Sequence, residues 1–309
     1  MTSTLHYSCW LMEAKRSSRW RIAPRDAVTI RVIEGLGNQM FQYAAALALA
    51  RCNDTLVFVD ISATRRNITR PYMLDKLRVP RTSVISEGSV SNDCRGLPPD
   101  RLVQSSAACC YREPHFHFDQ AFFDLKPPVL LRGCFQSERY FAPVAGELKG
   151  VFGLREELSE QSRRIEQQIG GEPSSISLHV RRGDYVANDY HGVLSLDYYR
   201  RAVEIVRQGE ELRSRVFIFS DDPAFAVDAF GFIDNKVVIT HNLNRPWEDL
   251  ALMASCRHHI IANSTFSWWG AWLGRRADQI VVAPRAWFGP EVLRVNNICD
   301  LHPAGWVLI

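Results

Sequence analysis

The sequence predicts an α/β protein with two Rossmann-like domains facing a cleft. Three observations support this fold class: a length of 309 residues, a glycine turn between an apolar strand and a helix near residue 35, and a regular alternation of strands and helices from residue 176 to 283. A chain of this length favours two domains of ordinary size. Strands that alternate with helices form parallel sheets that are covered on both faces.

The first domain is predicted at 28–170, after an N-terminal extension at 1–27 in which charges interrupt the short apolar run. It opens with a strand at 28–33, a helix at 39–51 and a strand at 55–59, which is a βαβ unit. Residues 62–130 show no sustained period, which predicts loops and short helices. A strand at 130–135 and a helix at 156–169 complete the domain.

The second domain is predicted at 171–309, because glycine and proline at 170–173 break the preceding helix. Its alternating elements are strands at 176–180, 216–220, 236–240, 259–262 and 280–283, and helices at 196–207, 223–229, 246–255 and 266–273. Open parallel sheets bind ligands beyond the carboxyl ends of their strands. The chemistry is therefore expected in the loops that follow the strands.

Two adjacent arginines follow the strand at 176–180, which also contains His179. Arg181 and Arg182 carry planar donor forks that suit a diphosphate, and Asp184 can orient one of them. The alternative interpretation is a surface ion cluster that caps the strand.

The loop after the strand at 216–220 contains Ser220, Asp221 and Asp222. Asp222 or Ser220 can cap the next helix, and all three are candidates for donor binding. We do not interpret the aspartate pair as a metal site, because the chain contains no Asp-x-Asp triplet.

Small polar residues also precede the helix at 266–273, namely Asn263, Ser264 and Thr265. Hydroxyl groups and free backbone N–H groups at a helix start can bind an anion, whereas a simple N-cap needs only one such residue. The tryptophans of the helix are expected in the core.

The turn at 34–39 lacks the third glycine of a dinucleotide-binding fingerprint. Because a strand-end loop of the first domain faces the cleft, Asn38 and Gln39 are candidates for hydrogen bonds to a sugar. A tight turn that only allows the strand and helix to pack explains the glycines equally well.

The overall composition favours a small anionic ligand over nucleic acid. The formal charge is only +3, and the basic residues are spread along the chain. The eight cysteines form no Cys-x-x-Cys pair, which favours a reducing compartment. We expect a cytoplasmic or membrane-peripheral location.

Three strings together resemble the α-1,2-fucosyltransferase family of glycosyltransferase family 11 type: GLGNQMFQYA at 35–44, HVRRGDY at 179–185 and ANSTFSWWGAWL at 262–273. The resemblance implies a GT-B fold and an inverting, metal-independent and cofactor-free reaction. In that reaction, L-fucose moves from GDP-β-L-fucose to the 2-hydroxyl of a terminal galactose in a glycan. It also implies that Arg181 contacts the β-phosphate, that Asn38 lies near the sugar and acceptor, and that the loops at 220–222 and 263–265 bind the donor.

The general base and the acceptor site stay open at this stage. Asp184, His179 and Asn38 are the candidate bases. Acceptor contacts are expected from 111–123 and 188–192, where His115, His117 and His191 could bond sugar hydroxyls. A different nucleotide sugar, or a non-catalytic protein that binds glycans or nucleotides, is the alternative.

Overall fold

The structure is a computed structural model that describes residues 26–64, 67, 69–80, 84–85, 103–104, 109–186, 190–208 and 214–309. It contains two six-stranded sheets. Most of the predicted extension at 1–27 lies outside the described residues.

The first sheet has the strand order β3-β2-β1-β6-β5-β4. Its pairs are parallel except for the antiparallel pair of β4 and β5. The strands are β1 Val28–Arg31, β2 Val57–Asp60, β3 Val84–Ile85, β4 Val103–Gln104, β5 Cys109–Arg112 and β6 Val129–Arg132. Its α-helices are α1 Leu36–Cys52 and α2 Ala145–Val151, with short 3-10 helices at Leu74–Lys76, Gln120–Asp124 and Glu138–Val144.

The second sheet is entirely parallel, with the order β12-β11-β10-β7-β8-β9. The strands are β7 Ser175–Val180, β8 Arg215–Ser220, β9 Lys236–Val238, β10 His258–Ile260, β11 Val281–Ala283 and β12 Val307–Leu308. The helices are α3 Glu160–Gly171, α4 Leu196–Gln208, α5 Pro223–Ala229, α6 Pro246–Ser255, α7 Thr265–Leu273 and α8 Pro290–Leu293, with a 3-10 turn at Gly183–Tyr185.

The order of the second sheet reverses direction between β7 and β10, which lie side by side. In doubly wound sheets the crevice beyond this reversal is the usual ligand site. The loops that leave the two strands carry Arg181 and Asn263. The topology therefore brings two separately predicted loops to one place.

Helix α1 is buried along almost its whole length, which explains why its sequence lacks a polar stripe. It packs against the first sheet and also against α7 of the second half of the chain. Phe41 of α1 lies 4.5 Å from Trp268 and 4.9 Å from Trp269, measured between ring centroids. Both tryptophans are fully buried and Trp272 is 5% exposed, so their predicted place in the core is confirmed.

Several predicted boundaries differ from the structure. Helix α1 begins at Leu36 rather than near residue 39, so Gly37 lies inside its first turn. Helix α3 continues through Gly171, past the predicted break. Its Ile169 packs with Phe217 and Phe219 of β8, so α3 lies on the second sheet although the predicted division at 170 assigns it to the first.

The region predicted as loops and short helices also contains β5, a strand of the first sheet. Its four residues are too few to show a period in the sequence. Among the residues that the structure describes, none of the helices is both long and apolar enough to span a lipid bilayer.

Candidate active site

Arg181 lies directly beyond β7 and is the centre of an ion cluster. Its Nη1 donates to Asp221 Oδ2 at 2.9 Å, and its Nη2 pairs with Asp184. The guanidinium carbon lies 5.1 Å from the centre of the Tyr185 ring, which is within the range of a cation–π contact. Its Nε is buried and has no hydrogen-bond partner in the described structure, whereas the side chain as a whole is 20% exposed.

Arg182 points away from Arg181. Its Nε donates to Asp222 at 3.2 Å, and its guanidinium stacks on Phe225 with 3.6 Å to the ring centre. Successive side chains of an extended backbone point to opposite sides, which separates the two forks. In the structure Arg182 therefore contacts the start of α5. Its role in donor binding stays a prediction.

The predicted loop at 220–222 supports both arginines. Asp221 accepts from the Arg182 backbone N–H at 2.9 Å in addition to the Arg181 guanidinium. Asp222 caps α5 by accepting from Phe225 N, and Ser220 Oγ accepts from Asp222 N. A Cβ on Gly183 would lie 2.5 Å from Asp221 Oδ2, so the glycine in the motif allows this carboxylate to approach.

The loop at 263–265 leads into the start of α7. The N-cap residue Ser264 makes no side-chain capping bond, so the first N–H groups of α7 lack a side-chain acceptor. Asn263 is 2% exposed, and its Nδ2 donates to three carbonyls, those of His191, Gly192 and Trp287. Its amide nitrogen therefore holds neighbouring loops together, while Thr265 stays half-buried at the helix start.

Tyr185 connects the Arg181 cluster to this loop, because its hydroxyl donates to Asn263 O at 3.3 Å. The glycine turn reaches the same helix from the first domain. A Cβ on Gly37 would lie 2.5 Å from the backbone N of Phe266 and from the backbone C of Thr265. Trp269 Nε1 also donates to Gly37 O at 3.0 Å. Arg181, the α7 start and the glycine turn thus surround one cleft.

The prediction that Gln39 binds a sugar is wrong. Gln39 is fully buried, where its Nε2 donates to the Glu34 and Pro71 carbonyls and its Oε1 accepts from Met73 N. All its polar atoms are used within the first domain. Asn38 is half-buried and accepts from Gln136 Nε2 at 2.8 Å. Its role near the sugar stays a prediction.

The three candidate bases occupy different environments. His179 is buried beside Phe266, and this burial lowers its pKa to about 3, with Arg181 adding a smaller effect of the same sign. The imidazole is therefore neutral at physiological pH but a weak proton acceptor. Asp184 is exposed at 45% of its side-chain surface and bonds to Arg181, whereas the neutral Asn38 amide can assist the hydroxyl only by hydrogen bonding. The structure does not single out one of them.

The two segments predicted to contact the acceptor meet at Phe288, which sequence reasoning missed. The ring of Phe288 lies 5.1 Å from Phe116 and 5.3 Å from Tyr190. His191 stacks on Tyr185 at 4.3 Å, next to the Arg181 cluster. Asn188 lies outside the described residues.

His115 and His117 stack on each other at 3.6 Å, and His115 Nδ1 bonds to the His117 carbonyl. In the described parts of the chain, no group of three or more His, Cys, Asp or Glu side chains is placed to hold a metal ion.

The chain matches the sequence profile described as "Glycosyl transferase family 11" over residues 121–309, more than half of its length. It belongs to glycosyltransferase family 11. The Escherichia coli O-antigen biosynthesis glycosyltransferase WbnK is 31% identical, with 88% of this chain and 97% of that protein covered. An Escherichia coli alpha-1,2-colitosyltransferase is also 31% identical, with 91% and 98% covered.

Human galactoside alpha-(1,2)-fucosyltransferase 1 is 26% identical to this family 11 chain, with 97% of this chain and 80% of that protein covered. A mutant of Arabidopsis thaliana FUT1 in complex with GDP aligns with a TM-score of 0.52 at 12% identity, over 99% of this chain and 81% of the other. The Bradyrhizobium NodZ alpha-1,6-fucosyltransferase co-crystallised with GDP gives 0.50 at 14% identity, over 80% and 92%. These two likenesses support the GT-B fold.

Arg70 also lies at the cleft of this family 11 protein, and sequence reasoning missed this residue. It follows β2 in the first domain, and its Nη2 pairs with Asp184 of the second. No local motif marks Arg70, because its partner lies 114 positions away in the sequence.

Proposed function

We propose that this family 11 glycosyltransferase transfers L-fucose from GDP-β-L-fucose to the 2-hydroxyl of a terminal galactose, with inversion. The observation that carries the proposal is the position of Arg181, beyond β7 at the reversal of the second sheet. The partly exposed Arg181 side chain and the uncapped start of α7 supply donors around the same cleft. Negative charge that grows on a departing GDP is stabilised by such fixed donors.

In this mechanism the protein acts mainly by holding the leaving group. Asp221 and Tyr185 fix the Arg181 guanidinium, so little reorganisation is needed as the sugar–phosphate bond breaks. The sugar carbon gains positive charge while the acceptor hydroxyl attacks from the opposite face, which inverts its configuration. Asp184, His179 and Asn38 remain the candidates that assist the hydroxyl proton. We propose that no metal or other cofactor takes part.

A nucleotide-activated colitose is the second candidate donor, because a relative of 31% identity is an alpha-1,2-colitosyltransferase. A panel of nucleotide sugars, combined with an acceptor array scored for linkage, separates the two donors. We expect turnover of GDP-fucose, a 1,2 linkage to galactose, and unchanged activity in excess chelator. Exclusive use of another donor, or the absence of any transfer or hydrolysis, would contradict the proposal. A cytoplasmic or membrane-peripheral location stays a prediction.

A further inference from the structure

The backbone around Arg70 is held in place on both sides. Asn67 Oδ1 accepts from the N–H groups of Thr69 and Arg70, at 3.1 and 3.0 Å. On the other side, the buried Gln39 side chain bonds to the Pro71 carbonyl. These bonds come from the first domain alone, so this domain presents Arg70 to the cleft in a defined position.

The guanidinium of Arg70 passes over the glycine turn. A Cβ on Gly35 would lie only 3.1 Å from Arg70 Nη1, so the glycine leaves space for the fork. The other terminal nitrogen pairs with Asp184 Oδ2, while Asp184 Oδ1 pairs with Arg181 Nη2. One carboxylate therefore joins two guanidinium groups that belong to opposite domains.

The geometry of this bridge suits an oxyanion. A carboxylate that bonds to two forks places its two oxygens much as a phosphate places a pair of its own. Arg181 keeps Asp221 as a second acidic partner, whereas Asp184 is the only acidic partner of Arg70 among the described residues. The Asp184 side chain is 45% exposed, so it can leave the bridge without opening the core.

We propose that Arg70, which the first domain supplies, is a second arginine for the terminal phosphate of the donor's diphosphate, the phosphate that carries the sugar. In this assignment the phosphate takes the position between the two guanidinium groups that Asp184 holds in the structure. The inference rests on the proposed use of a nucleoside diphosphate sugar, but not on which sugar it carries. A donor bound in this way contacts both domains, and the Arg70 guanidinium stabilises the charge that develops on the leaving diphosphate.

Calorimetric binding of GDP and GMP tests the assignment, because GMP lacks the terminal phosphate. We expect Arg70→Met to weaken GDP at least tenfold and to change GMP by less than twofold, as for the loss of a charge-assisted hydrogen bond. Arg51→Met is the matched control, since Arg51 forms an ion pair of similar exposure with Glu147 at the far end of α1. This control should bind both nucleotides like the wild type.

The same measurement in an Asp184→Asn background separates ligand binding from a purely structural link between the domains. If Arg70 only held Asp184, its replacement in this background would leave GDP affinity unchanged, and the proposal would be overturned. We expect the loss of GDP affinity to persist there. Equal weakening of GDP and GMP by Arg70→Met also overturns the proposal. A wild-type protein that binds no GDP would instead contradict the proposed function itself.

Discussion

Gly37 lies where helix α1 of the first half of the chain approaches the start of α7 in the second half, and Gly37→Ala tests whether this close approach matters. The added Cβ would lie 2.5 Å from two backbone atoms, at Thr265 and Phe266, whereas ordinary van der Waals contact begins at 3.4 Å. The shortfall is about 0.9 Å, and no side-chain rotation can relieve a clash with backbone. Helices α1 and α7 must therefore separate.

Overpacking of this kind costs about 1–3 kcal/mol, and alanine returns up to about 1 kcal/mol of helix propensity. Because a clash with backbone atoms belongs at the upper end of this range, we expect a net loss of about 2 kcal/mol in the free energy of unfolding, measured by urea titration. Because α7 begins at the loop that we propose to bind the donor, turnover by the folded variant should also fall, by about tenfold or more.

Gly146→Ala is the matched control. This glycine also lies in a helix, but no heavy atom comes within 4 Å of its added Cβ. The control should be as stable as the wild type or up to about 1 kcal/mol more stable, with unchanged turnover. If Gly37→Ala behaves like this control, the close approach of the two helices is not a constraint, and the reasoning fails.

Three further perturbations address the site and its support. Arg181→Lys keeps the charge but loses the fork, so turnover of GDP-fucose should fall well over tenfold; turnover like that of the wild type would remove Arg181 from the mechanism. Gln39→Leu removes three hydrogen bonds that a fully buried side chain makes to the backbone of Glu34, Pro71 and Met73, and it should lower the unfolding free energy by about 3 kcal/mol. Gln168→Leu at an exposed helical position should change it little, and equal effects of the two substitutions would refute the role of Gln39. Burial lowers the pKa of His259 to about 3, so the unfolded chain binds the proton first and stability should fall as the pH drops below about 6.5 towards 3. Urea titrations across this window should show that the unfolding free energy of His259→Gln depends less steeply on pH than that of the wild type. The same pH dependence in both proteins would contradict the shift.

The strands and helices of the second half could be predicted from the sequence, because they alternate regularly and most of them pack against neighbours in the chain. Helix α6 was predicted at 246–255 and lies at Pro246–Ser255, and α5 was predicted equally well. The proline at the start of each helix marks the boundary. The first half was less readable, since β5 has four residues and β3 has two.

Some features of the candidate site could likewise be predicted from the sequence, and others could not. Arg181 stands next to its own strand in the sequence, so the arginine motif and its place at a strand end could be predicted. The divergence of Arg182 towards Phe225 could not, because it depends on where α5 packs. Gln39 was misassigned for a similar reason, as its partners at Pro71 and Met73 are more than 30 positions away.

The sequence by itself determined the α/β class, the three motif strings and the strand-end position of the charged loops, since these follow from local periodicity and residue type. Only the tertiary structure decided which side chains point into the cleft. It also decided that Arg70 of one domain meets Asp184 of the other. The physical reason is that side-chain direction and long-range ion pairs are set by the packing of whole elements, which leaves no signal in a short stretch of sequence.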